Sequence, residues 1–330
     1  MKVLVTGASG FIGGNLVRAL LRDGHAVRAL VRPASDRRNI EGLDVEVALG
    51  DLTDPVSLAP ALDGCEGLFH VAASYAFWSP DPRRFHEANV TGTQNMLAAA
   101  RRAGVRKIVY TSSESTLKIP ADGTPGTEAE LDDPDKLSGD YKRSKCLAEH
   151  RALEMSRTGL PIVIVNPTTP IGPFDVKPTP TGRLVVDFIN GRMPAYVDAG
   201  LNIVDVGDVV QGHILAMEKG TCGERYVLGN RNLTLKEIFA ILEGLTGIRS
   251  PRIRVPLWTA LVAAHIDEAI CGGIFRREPT IPVAAVKAAR EYRFFDCSKS
   301  VRELGMPQTP VEEAFERAIR WFREHGYVRP

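Results

Sequence analysis

The sequence lacks a cysteine framework. Its five cysteines are widely and irregularly spaced, with no CxxC pair, and they are Cys65, Cys146, Cys222, Cys271 and Cys297. An odd number of cysteines at such spacings indicates neither a set of disulfides nor a zinc site. We therefore expect free thiols, no bound metal and a reducing compartment, and we predict a cytoplasmic protein.

Blocks of like charge and long apolar runs are also missing. The 41 basic and 40 acidic residues give a net charge of +1, and their even spread favours neither nucleic acid nor an anionic membrane surface. The longest apolar segment, 257–270, contains His265, Asp267 and Glu268 and cannot span a bilayer. Met1 and Lys2 lead directly into a short strand-like run, so we expect no signal peptide. A small molecule is the expected partner, with no integral membrane segment.

Apolar runs of strand length alternate with amphipathic helical stretches in the first half of the 330 residues. Strands are expected at 2–6, 26–31, 45–49, 67–72, 107–111 and 162–166. Helices should end near Gly24, Gly64, Gly104 and Gly159, because glycine favours the residue that follows a helix. This alternation is typical of an α/β fold with a doubly wound parallel sheet.

A glycine-rich turn joins the first strand to the first helix. Glycine at every third position permits a tight turn, close approach of the backbone to a pyrophosphate, and close packing of helix on strand. The helix N-terminus adds free N–H groups for the phosphates. A glycine turn without a ligand is the alternative, but the strand before it and the helix after it favour a dinucleotide site of the Rossmann type. The contacts expected here are Gly7, Ser9, Gly10, Phe11, Ile12 and Gly13.

The end of the second strand bears on the choice of cofactor. An NAD enzyme usually places a carboxylate there to hold the ribose hydroxyls, whereas this strand ends in Val31 and Arg32. Arg32 can pair with the 2′-phosphate of NADP through charge-assisted hydrogen bonds. A solvated basic loop neutralised by Asp36 is the alternative. NADP(H) is the preferred cofactor, and NAD(H) is left open.

Further cofactor contacts are expected at the ends of the later strands, because ligands in open α/β sheets bind at the carboxyl ends. His70 is expected only to line the path of the cofactor. The remaining expected contacts are Asp51, Leu52, Val71, Ala72, Ala73, Asn89, Thr111, Asn166, Pro167 and Thr168.

Prolines cluster after residue 167, and the regular alternation of strands and helices ends there. We predict that residues 1–167 form the NADP(H)-binding domain with the catalytic residues. Residues 168–330 form a smaller, mainly substrate-binding α/β part, with some segments returning to the first domain. Thr309 and Glu312 have the spacing of a capping box, which would open a C-terminal helix.

Tyr141 and Lys145 lie four residues apart, hence on one face of a helix. A lysine cation beside a tyrosine favours the phenolate and lowers the tyrosine pKa, which makes the pair usable in proton transfer. Many solvated helices carry this spacing by chance. The position after the fifth strand, whose carboxyl end carries Ser112 and Ser113, favours a catalytic pair.

An ordered series of motifs extends over most of the chain. It comprises the three glycines and residues 51–52, 70–73, 89–93, 110–113 and 141–145. In this order the motifs resemble those of an extended short-chain dehydrogenase/reductase. Within that superfamily the chain is most similar to hopanoid-associated sugar epimerases and dihydroflavonol 4-reductase-like proteins, through residues 30–33, 121–125, 165–173 and 190–198.

The resemblance implies catalytic roles for three residues. Tyr141 would exchange a proton with the substrate oxygen, Lys145 would bind the nicotinamide ribose and tune Tyr141, and Ser113 would hydrogen-bond the reacting oxygen. Ser112 is the fallback for Ser113. The cofactor would carry the hydride, so the protein supplies orientation and proton transfer.

Two departures from the sugar-nucleotide epimerase pattern stand out. Those enzymes usually have a Tyr-Gly pair where this chain has Leu117 and Lys118, and a carboxylate where it has Val31. Both departures place reduction of a carbonyl on a sugar-like or dihydroflavonol-like substrate slightly ahead of epimerisation. A sugar or nucleotide-sugar epimerase or dehydratase is the alternative. A non-catalytic NADP(H) sensor is disfavoured because the whole catalytic set is present. A homodimer is left open.

The segment 166–183 after the sixth strand should form one wall of the substrate pocket. Lys177 and Arg183 could meet an anionic or polyhydroxylated substrate, and Tyr75, Phe77 and Trp78 could supply an apolar wall. Ordinary solvated charges and core aromatics are the equally weighted alternative.

Overall fold

The computed structural model describes residues 1–76, 78–275 and 277–328. Within these residues the strands are β1 (Lys2–Thr6), β2 (Ala26–Val31), β3 (Glu46–Leu49), β4 (Gly67–His70), β5 (Lys107–Thr111), β6 (Ile162–Pro167), β7 (Thr169–Ile171), β8 (Ala195–Tyr196), β9 (Gly200–Asp205), β10 (Arg225–Leu228), β11 (Arg231–Thr234) and β12 (Ile253–Arg254). The α-helices are α1 (Phe11–Arg22), α2 (Pro55–Leu62), α3 (Arg83–Phe85), α4 (Gly92–Arg102), α5 (Asp140–Arg157), α6 (Pro180–Ile189), α7 (Val206–Lys219), α8 (Leu235–Thr246), α9 (Leu257–Asp267), α10 (Val283–Ala288) and α11 (Val311–Glu324). None of these helices is long and apolar enough to cross a membrane.

The main sheet has seven parallel strands in the order β3-β2-β1-β4-β5-β6-β10. The chain runs from β1 outward to β3 on one side and then returns to place β4 on the other side. The strand order therefore reverses between β1 and β4, and a ligand crevice is expected beyond the carboxyl ends of these two strands. The predicted doubly wound α/β fold is confirmed.

Alternating residues of the buried strands pack on opposite faces of this sheet. In β1, Val3 and Val5 belong to one apolar cluster with helices α1 and α7, whereas Leu4 belongs to a second cluster with α2, α4 and α5. All three side chains are fully buried. Because both faces are covered, the strands read in the sequence as continuous apolar runs.

A third apolar cluster lies in the C-terminal half. It combines a three-stranded sheet of order β11-β9-β7 with helices α6, α8 and α11, and Phe188, Phe239 and Phe315 are among its buried residues. Strand β10 comes from the same half of the chain but pairs with β6 in the main sheet. The division at residue 167 remains a prediction.

Local differences from the expected elements occur where polar contacts replace regular pairing. β4 ends at His70 rather than at residue 72, because the backbone N–H of Ala72 donates to the Thr6 hydroxyl at 3.1 Å. The helix expected from about Arg84 to Gly104 is broken by a π-helical segment, His86–Thr91, between α3 and α4. Such segments often occur at functional sites.

The expected capping box at the start of α11 is wrong, although the helix itself is present. The residue that caps α11 is Pro310, and Thr309 lies one position earlier. Asp208 accepts hydrogen bonds from the Thr309 backbone N–H at 2.6 Å and from its hydroxyl at 2.8 Å. Glu312 pairs instead with Arg231 at 2.8 Å on the surface. A buried carboxylate far away in sequence has replaced the local cap.

This exchange predicts unequal effects of two acidic substitutions. Asp208→Ala should lower the free energy of unfolding by about 2 kcal/mol or more, because a buried donor loses its charged partner. Glu312→Ala should cost at most about 0.5 kcal/mol, as expected for an exposed ion pair. Urea unfolding of both variants checks this. If Glu312→Ala lowered the free energy of unfolding more than Asp208→Ala did, the capping box would be the better explanation of how α11 begins.

Candidate active site

A cavity of about 1100 Å³ opens beyond the carboxyl ends of β1 and β4, at the point where the strand order reverses. Seventeen of the nineteen residues expected at the cofactor line its wall. They are Gly7, Ser9, Gly10, Phe11, Ile12, Gly13, Arg32, Asp51, Leu52, Val71, Ala72, Ala73, Thr111, Tyr141, Lys145, Pro167 and Thr168.

The glycine turn leaves no room for side chains at two of its positions. Gly7 has a φ of +71°, and a Cβ there would lie 2.7 Å from the backbone nitrogen of Ala72. A Cβ on Gly13 would lie 2.1 Å from the carbonyl oxygen of Gly7. Gly10, the residue before α1, has no side chain to cap the helix. The N–H groups of the first helical turn are therefore available to phosphate oxygens, and the turn fits a dinucleotide.

Asn39 supports this turn from behind and was missed in the sequence. Its amide nitrogen donates to the carbonyl oxygens of Ser9 and Gly10, both at 3.2 Å. The side chain is buried against Gly14. The sequence gives no signal for this role, because the contact joins a loop after β2 to the turn after β1.

Arg32 lines the cavity and is exposed. Asp36, the residue that could have neutralised it, forms a two-pronged ion pair with Arg38 instead, with the shortest N–O distance 2.6 Å. Hydrogen bonds from Arg38 lower the pKa of Asp36 to about 2. Within the described part of the chain, no carboxylate pairs with Arg32.

Ser113, Tyr141 and Lys145 all lie on the wall of the same cavity. Ser113 is close enough to the Tyr141 phenol to lower its pKa, against the effect of burial. The Ser113 hydroxyl accepts hydrogen bonds from the backbone and the side chain of Ser115, at 3.2 and 2.9 Å. The Lys145 ammonium donates to the carbonyl oxygen of Thr111 at 2.8 Å. A serine and a tyrosine hydroxyl are thus presented together, with a lysine one helical turn away.

The expected effect of Lys145 on Tyr141 is not found. Burial raises the pKa of Tyr141, and Ser113 opposes that rise only in part. Burial lowers the pKa of Lys145 to about 8, against the attraction of Glu149. The lysine donates to Thr111 rather than to the phenol, and burial favours the protonated form of Tyr141.

A buried carboxylate separates the roles of the two serines. Glu149 is fully buried and accepts hydrogen bonds from the Ser112 hydroxyl, from Thr116 at 2.6 Å and from Asn166 at 3.0 Å. Both serines line the cavity, but the Ser112 hydroxyl donates to Glu149, whereas Ser113 acts on the Tyr141 phenol. Glu149 was missed, although it continues the four-residue spacing of Tyr141 and Lys145 along α5.

Three expected wall residues are buried behind the cavity instead. Asn89 donates to Ser144 at 2.9 Å and exchanges hydrogen bonds with the backbone of Ser74, and Asn166 donates to Glu149 and to the Ser113 carbonyl. His70 lies between the hydroxyls of Thr6 and Thr93, at 2.8 and 3.1 Å. Burial, followed by the charge of Lys145, lowers the pKa of His70 to about 3. These hydrogen bonds hold the three residues behind the wall, and a contact of Asn89 or Asn166 with the cofactor stays a prediction.

The structure places one of the four residues expected at the substrate on the cavity wall and the other three outside it. Tyr75 lines the cavity, with its ring centroid 4.8 Å from that of Tyr141. Trp78 packs against Gly272 and is not part of the wall. Lys177 and Arg183 are exposed outside the wall, and Arg183 pairs with Glu278 at 3.5 Å, so the expected cationic wall is corrected. Phe77 lies outside the described residues.

The segment after β6 does contribute to the pocket, through residues 167–170 and 179–181. Much of the remaining wall is apolar, although Arg84, Glu87 and Lys142 also line the cavity, and the apolar residues are Tyr75, Leu184, Val197, Ala199, Leu201, Leu235, Ala285, Val286, Ala288 and Ala289. The guanidinium of Arg293 is also here, but it donates to the Glu114 carboxylate at 2.9 and 2.5 Å and to the Glu114 carbonyl at 2.7 Å. Its charge is neutralised within the protein.

The lowered pKa of Lys145 predicts how stability depends on pH without cofactor. The folded state releases this proton near pH 8, whereas the unfolded chain keeps it to about pH 10.4, so the wild type gains stability over that range. The melting temperature of Lys145→Met minus that of the wild type should fall by a few degrees between pH 7 and pH 10. Lys236→Met, at an exposed position of α8, is the matched control and should show no such trend. A constant difference for Lys145→Met would contradict the lowered pKa.

Comparison with known proteins agrees with this geometry. A profile of the NAD dependent epimerase/dehydratase family matches residues 3–229. A protein of Synechocystis sp., provisionally named dihydroflavonol 4-reductase, is 45% identical over 98% of this chain and 95% of its own length. Sterol demethylase protein B of Methylococcus capsulatus is 39% identical over 99% of this chain and 100% of its own length.

A third relative and one solved structure extend the comparison. The 4-hydroxy-2-methyl-3-oxo-4-farnesyl-3,4-dihydroquinoline-1-oxide ketoreductase of Stigmatella aurantiaca is 33% identical over 92% of this chain and 91% of its own length. The crystal structure of gox2253 has a TM-score of 0.89 and 44% identity, and covers 99% of both chains. The chain therefore belongs to the NAD-dependent epimerase/dehydratase family of extended short-chain dehydrogenases/reductases, as an NAD(P)-dependent oxidoreductase or epimerase.

Proposed function

We propose that the protein reduces a carbonyl group on a largely apolar substrate with NADPH. The observation that carries this proposal is the placement of Ser113 and Tyr141 together on the wall of one cavity that is lined in large part by apolar side chains. The two hydroxyls can meet one substrate oxygen, and the surrounding wall offers apolar contact to the rest of the molecule.

In this reaction a nicotinamide cofactor supplies the hydride that is added to the carbonyl carbon. Tyr141 donates its phenolic proton to the carbonyl oxygen, so that a secondary alcohol forms, and Ser113 donates a hydrogen bond to the same oxygen. The raised pKa of Tyr141 keeps the proton on the phenol before the transfer. Lys145 holds the ribose and offers a positive charge to the phenolate that results.

The preference for NADP(H) rests on Arg32. Its guanidinium lines the cavity at the end of β2, and the only nearby acid in the loop, Asp36, is bound to Arg38. A 2′-phosphate would provide Arg32 with the anionic partner that the described residues do not. Val31 leaves the 2′-hydroxyl of NAD without its usual carboxylate acceptor.

The apolar substrate class rests on the neutralised charge at the far end of the cavity. A nucleotide sugar carries a diphosphate that needs cations. Arg293 is bound by Glu114 and burial lowers the pKa of Lys142, so Arg84 remains as an exposed cation on this wall. Two relatives are named for a farnesylated ketone and for a sterol. Reduction of such a ketone therefore takes precedence over sugar epimerisation.

The five free thiols fit the expected cytoplasmic location, and a homodimer remains a prediction.

Arg32→Ala tests the cofactor preference. The Kd for NADPH should rise about tenfold or more, because charge-assisted hydrogen bonds are lost, and the Kd for NADH should be unchanged. Arg37→Ala, which removes a neighbouring exposed charge outside the cavity wall, is the matched control. Fluorescence titration of both cofactors measures these constants. If Arg32→Ala weakened the binding of NADPH and NADH equally, the proposed role of Arg32 would be contradicted.

A set of hydroxyl deletions tests the proton transfer. Tyr141→Phe and Ser113→Ala should each lower turnover about 10²-fold or more and retain NADPH binding. Ser112→Ala should retain turnover within a few-fold and lower the melting temperature, because Glu149 loses a buried partner. Oxidation of NADPH with medium-chain 2-ketones and 3-ketosteroids gives the rates. A loss of turnover confined to Ser112→Ala would assign the proposed role of Ser113 to Ser112 instead.

The same assay separates reduction from epimerisation. A reductase consumes one NADPH for each ketone reduced, whereas an epimerase retains its cofactor and shows no net consumption. Stoichiometric consumption with an apolar ketone is the expected result. Conversion of a nucleotide sugar without net loss of cofactor would favour the epimerase.

A further inference from the structure

Helix α9 is apolar but has little contact with the core. No Asp, Glu, Lys or Arg occurs from residue 257 to residue 266, yet Ala264 is the single residue of the helix that is buried. Trp258, Val262, Ile266 and Ile270 are 68%, 54%, 57% and 45% exposed. They recur every fourth residue and therefore share one face of the helix and its π-helical continuation. We call these four residues the apolar stripe.

Two more exposed apolar residues flank the apolar stripe in the sequence. Phe275 follows the π-helical segment Glu268–Ile274 and is 62% exposed, and Ile253, which precedes α9, is also 62% exposed. Single exposed apolar residues are ordinary, but several on one helix face, with an aromatic member, mark an interaction surface.

The segment that carries this surface has an excess of basic residues although the whole chain is nearly neutral, and two of these residues, Arg254 and Arg293, are paired with Asp198 and Glu114. Residues 249–293 contain eight basic residues, Arg249, Arg252, Arg254, Arg276, Arg277, Lys287, Arg290 and Arg293, against four acidic ones, Asp267, Glu268, Glu278 and Glu291. In the portion of the chain that the structure describes, no ion pair involves Arg252, Arg277, Lys287 or Arg290.

Two of the four carboxylates in this segment are engaged by backbone N–H groups. Asp267 accepts a hydrogen bond from the backbone of Ile281 at 2.7 Å, and Glu268 accepts one from the backbone of Val283 at 2.9 Å. Exposed apolar side chains combined with unpaired basic residues suit the headgroup region of an anionic membrane, and here the basic residues lie outside α9, among them Lys287 and Arg290 at and after the end of α10.

The apolar stripe is connected to the active-site cavity. Helix α10 packs on α9, and its first residue, Val283, is tied to Glu268 at the end of α9. Ala285, Val286 and Ala288 of α10 line the cavity. The two helices therefore form a cover whose inner side faces the substrate and whose outer side carries the apolar stripe.

We propose that the apolar stripe docks on the surface of an anionic phospholipid membrane, with α9 in the headgroup region, and that the substrate enters the cavity from the bilayer. This inference rests on the proposed reduction of an apolar ketone and names the source of that ketone. Charge favours the membrane over a second copy of the chain, because a two-fold contact would place the same basic surface against itself. A stable dimer also buries about 20 to 30 residues on each side, far more than one helix face.

Flotation of the full chain with lipid vesicles tests the docking. The protein should float with vesicles of phosphatidylcholine and phosphatidylglycerol, and binding should weaken with phosphatidylcholine alone and at high salt. The double variant Trp258→Ser, Ile266→Ser should partition at least tenfold less. Val56→Ser in α2, which removes an isolated valine that is 82% exposed, is the matched control and should float like the wild type.

Three measurements keep the outcomes distinct. Equal melting temperatures show that the double variant is folded. Reduction of a water-soluble short ketone should be unchanged in the variant, since neither position lines the cavity. Vesicle binding without any ketone reduction would remove the proposed function and leave the docking intact.

The docking is overturned if the wild type fails to bind anionic vesicles or binds no better than the variant. Sedimentation showing a dimer that the variant abolishes would also overturn it, in favour of a second copy of the chain.

Discussion

The close approach of two backbone segments at the centre of the main sheet is the constraint on which the site depends. The turn after β1 and the segment after β4 lie so close that a single methyl group on Gly7 would collide with the backbone of Ala72. Because β1 and β4 are also the strands between which the order reverses, this contact closes the floor of the cavity. It directs the start of α1 toward the expected position of the pyrophosphate. Arg32 and Thr111, at the ends of the neighbouring strands, line the cavity above this floor.

Buried polar groups behind the wall keep the reacting groups in position. Glu149, fully enclosed beneath α5, gathers hydrogen bonds from Ser112 and Asn166, and Asn166 in turn donates to the carbonyl of Ser113. A buried carboxylate is costly unless its hydrogen bonds are made; here all three, including the one from Thr116, go to Oε2, while Oε1 lies 3.9 Å from the Arg225 guanidinium. These contacts fix the backbone of Ser113 on the cavity wall beside α5.

The sequence predicted the parts of the molecule that are governed by local physics. Apolar runs located the six first strands within one or two residues, and the glycine spacing located the turn, because strand burial and helix capping act over short distances. Asn39 and the ion pair between Arg293 and Glu114 were not predictable in this way. Each joins segments far apart in the chain, and the residues involved have no distinctive local pattern. The capping box failed for the same reason, since Asp208 competes for Thr309 from about a hundred positions away. Glu149 was predictable from its spacing, because it follows Lys145 on α5 at the same four-residue interval that separates Tyr141 and Lys145. We used this interval only for the first two residues.

The ion pair between Arg293 and Glu114 also bears on how specificity can diverge within this family. A guanidinium that would suit a phosphate is already present in the substrate end of the cavity, but a single carboxylate, next to Ser113 in the chain, holds it. Exchange of that carboxylate for a neutral residue would leave the guanidinium free to meet an anionic group of a ligand. The charge of this part of the wall therefore depends on one residue outside the glycine turn and outside α5.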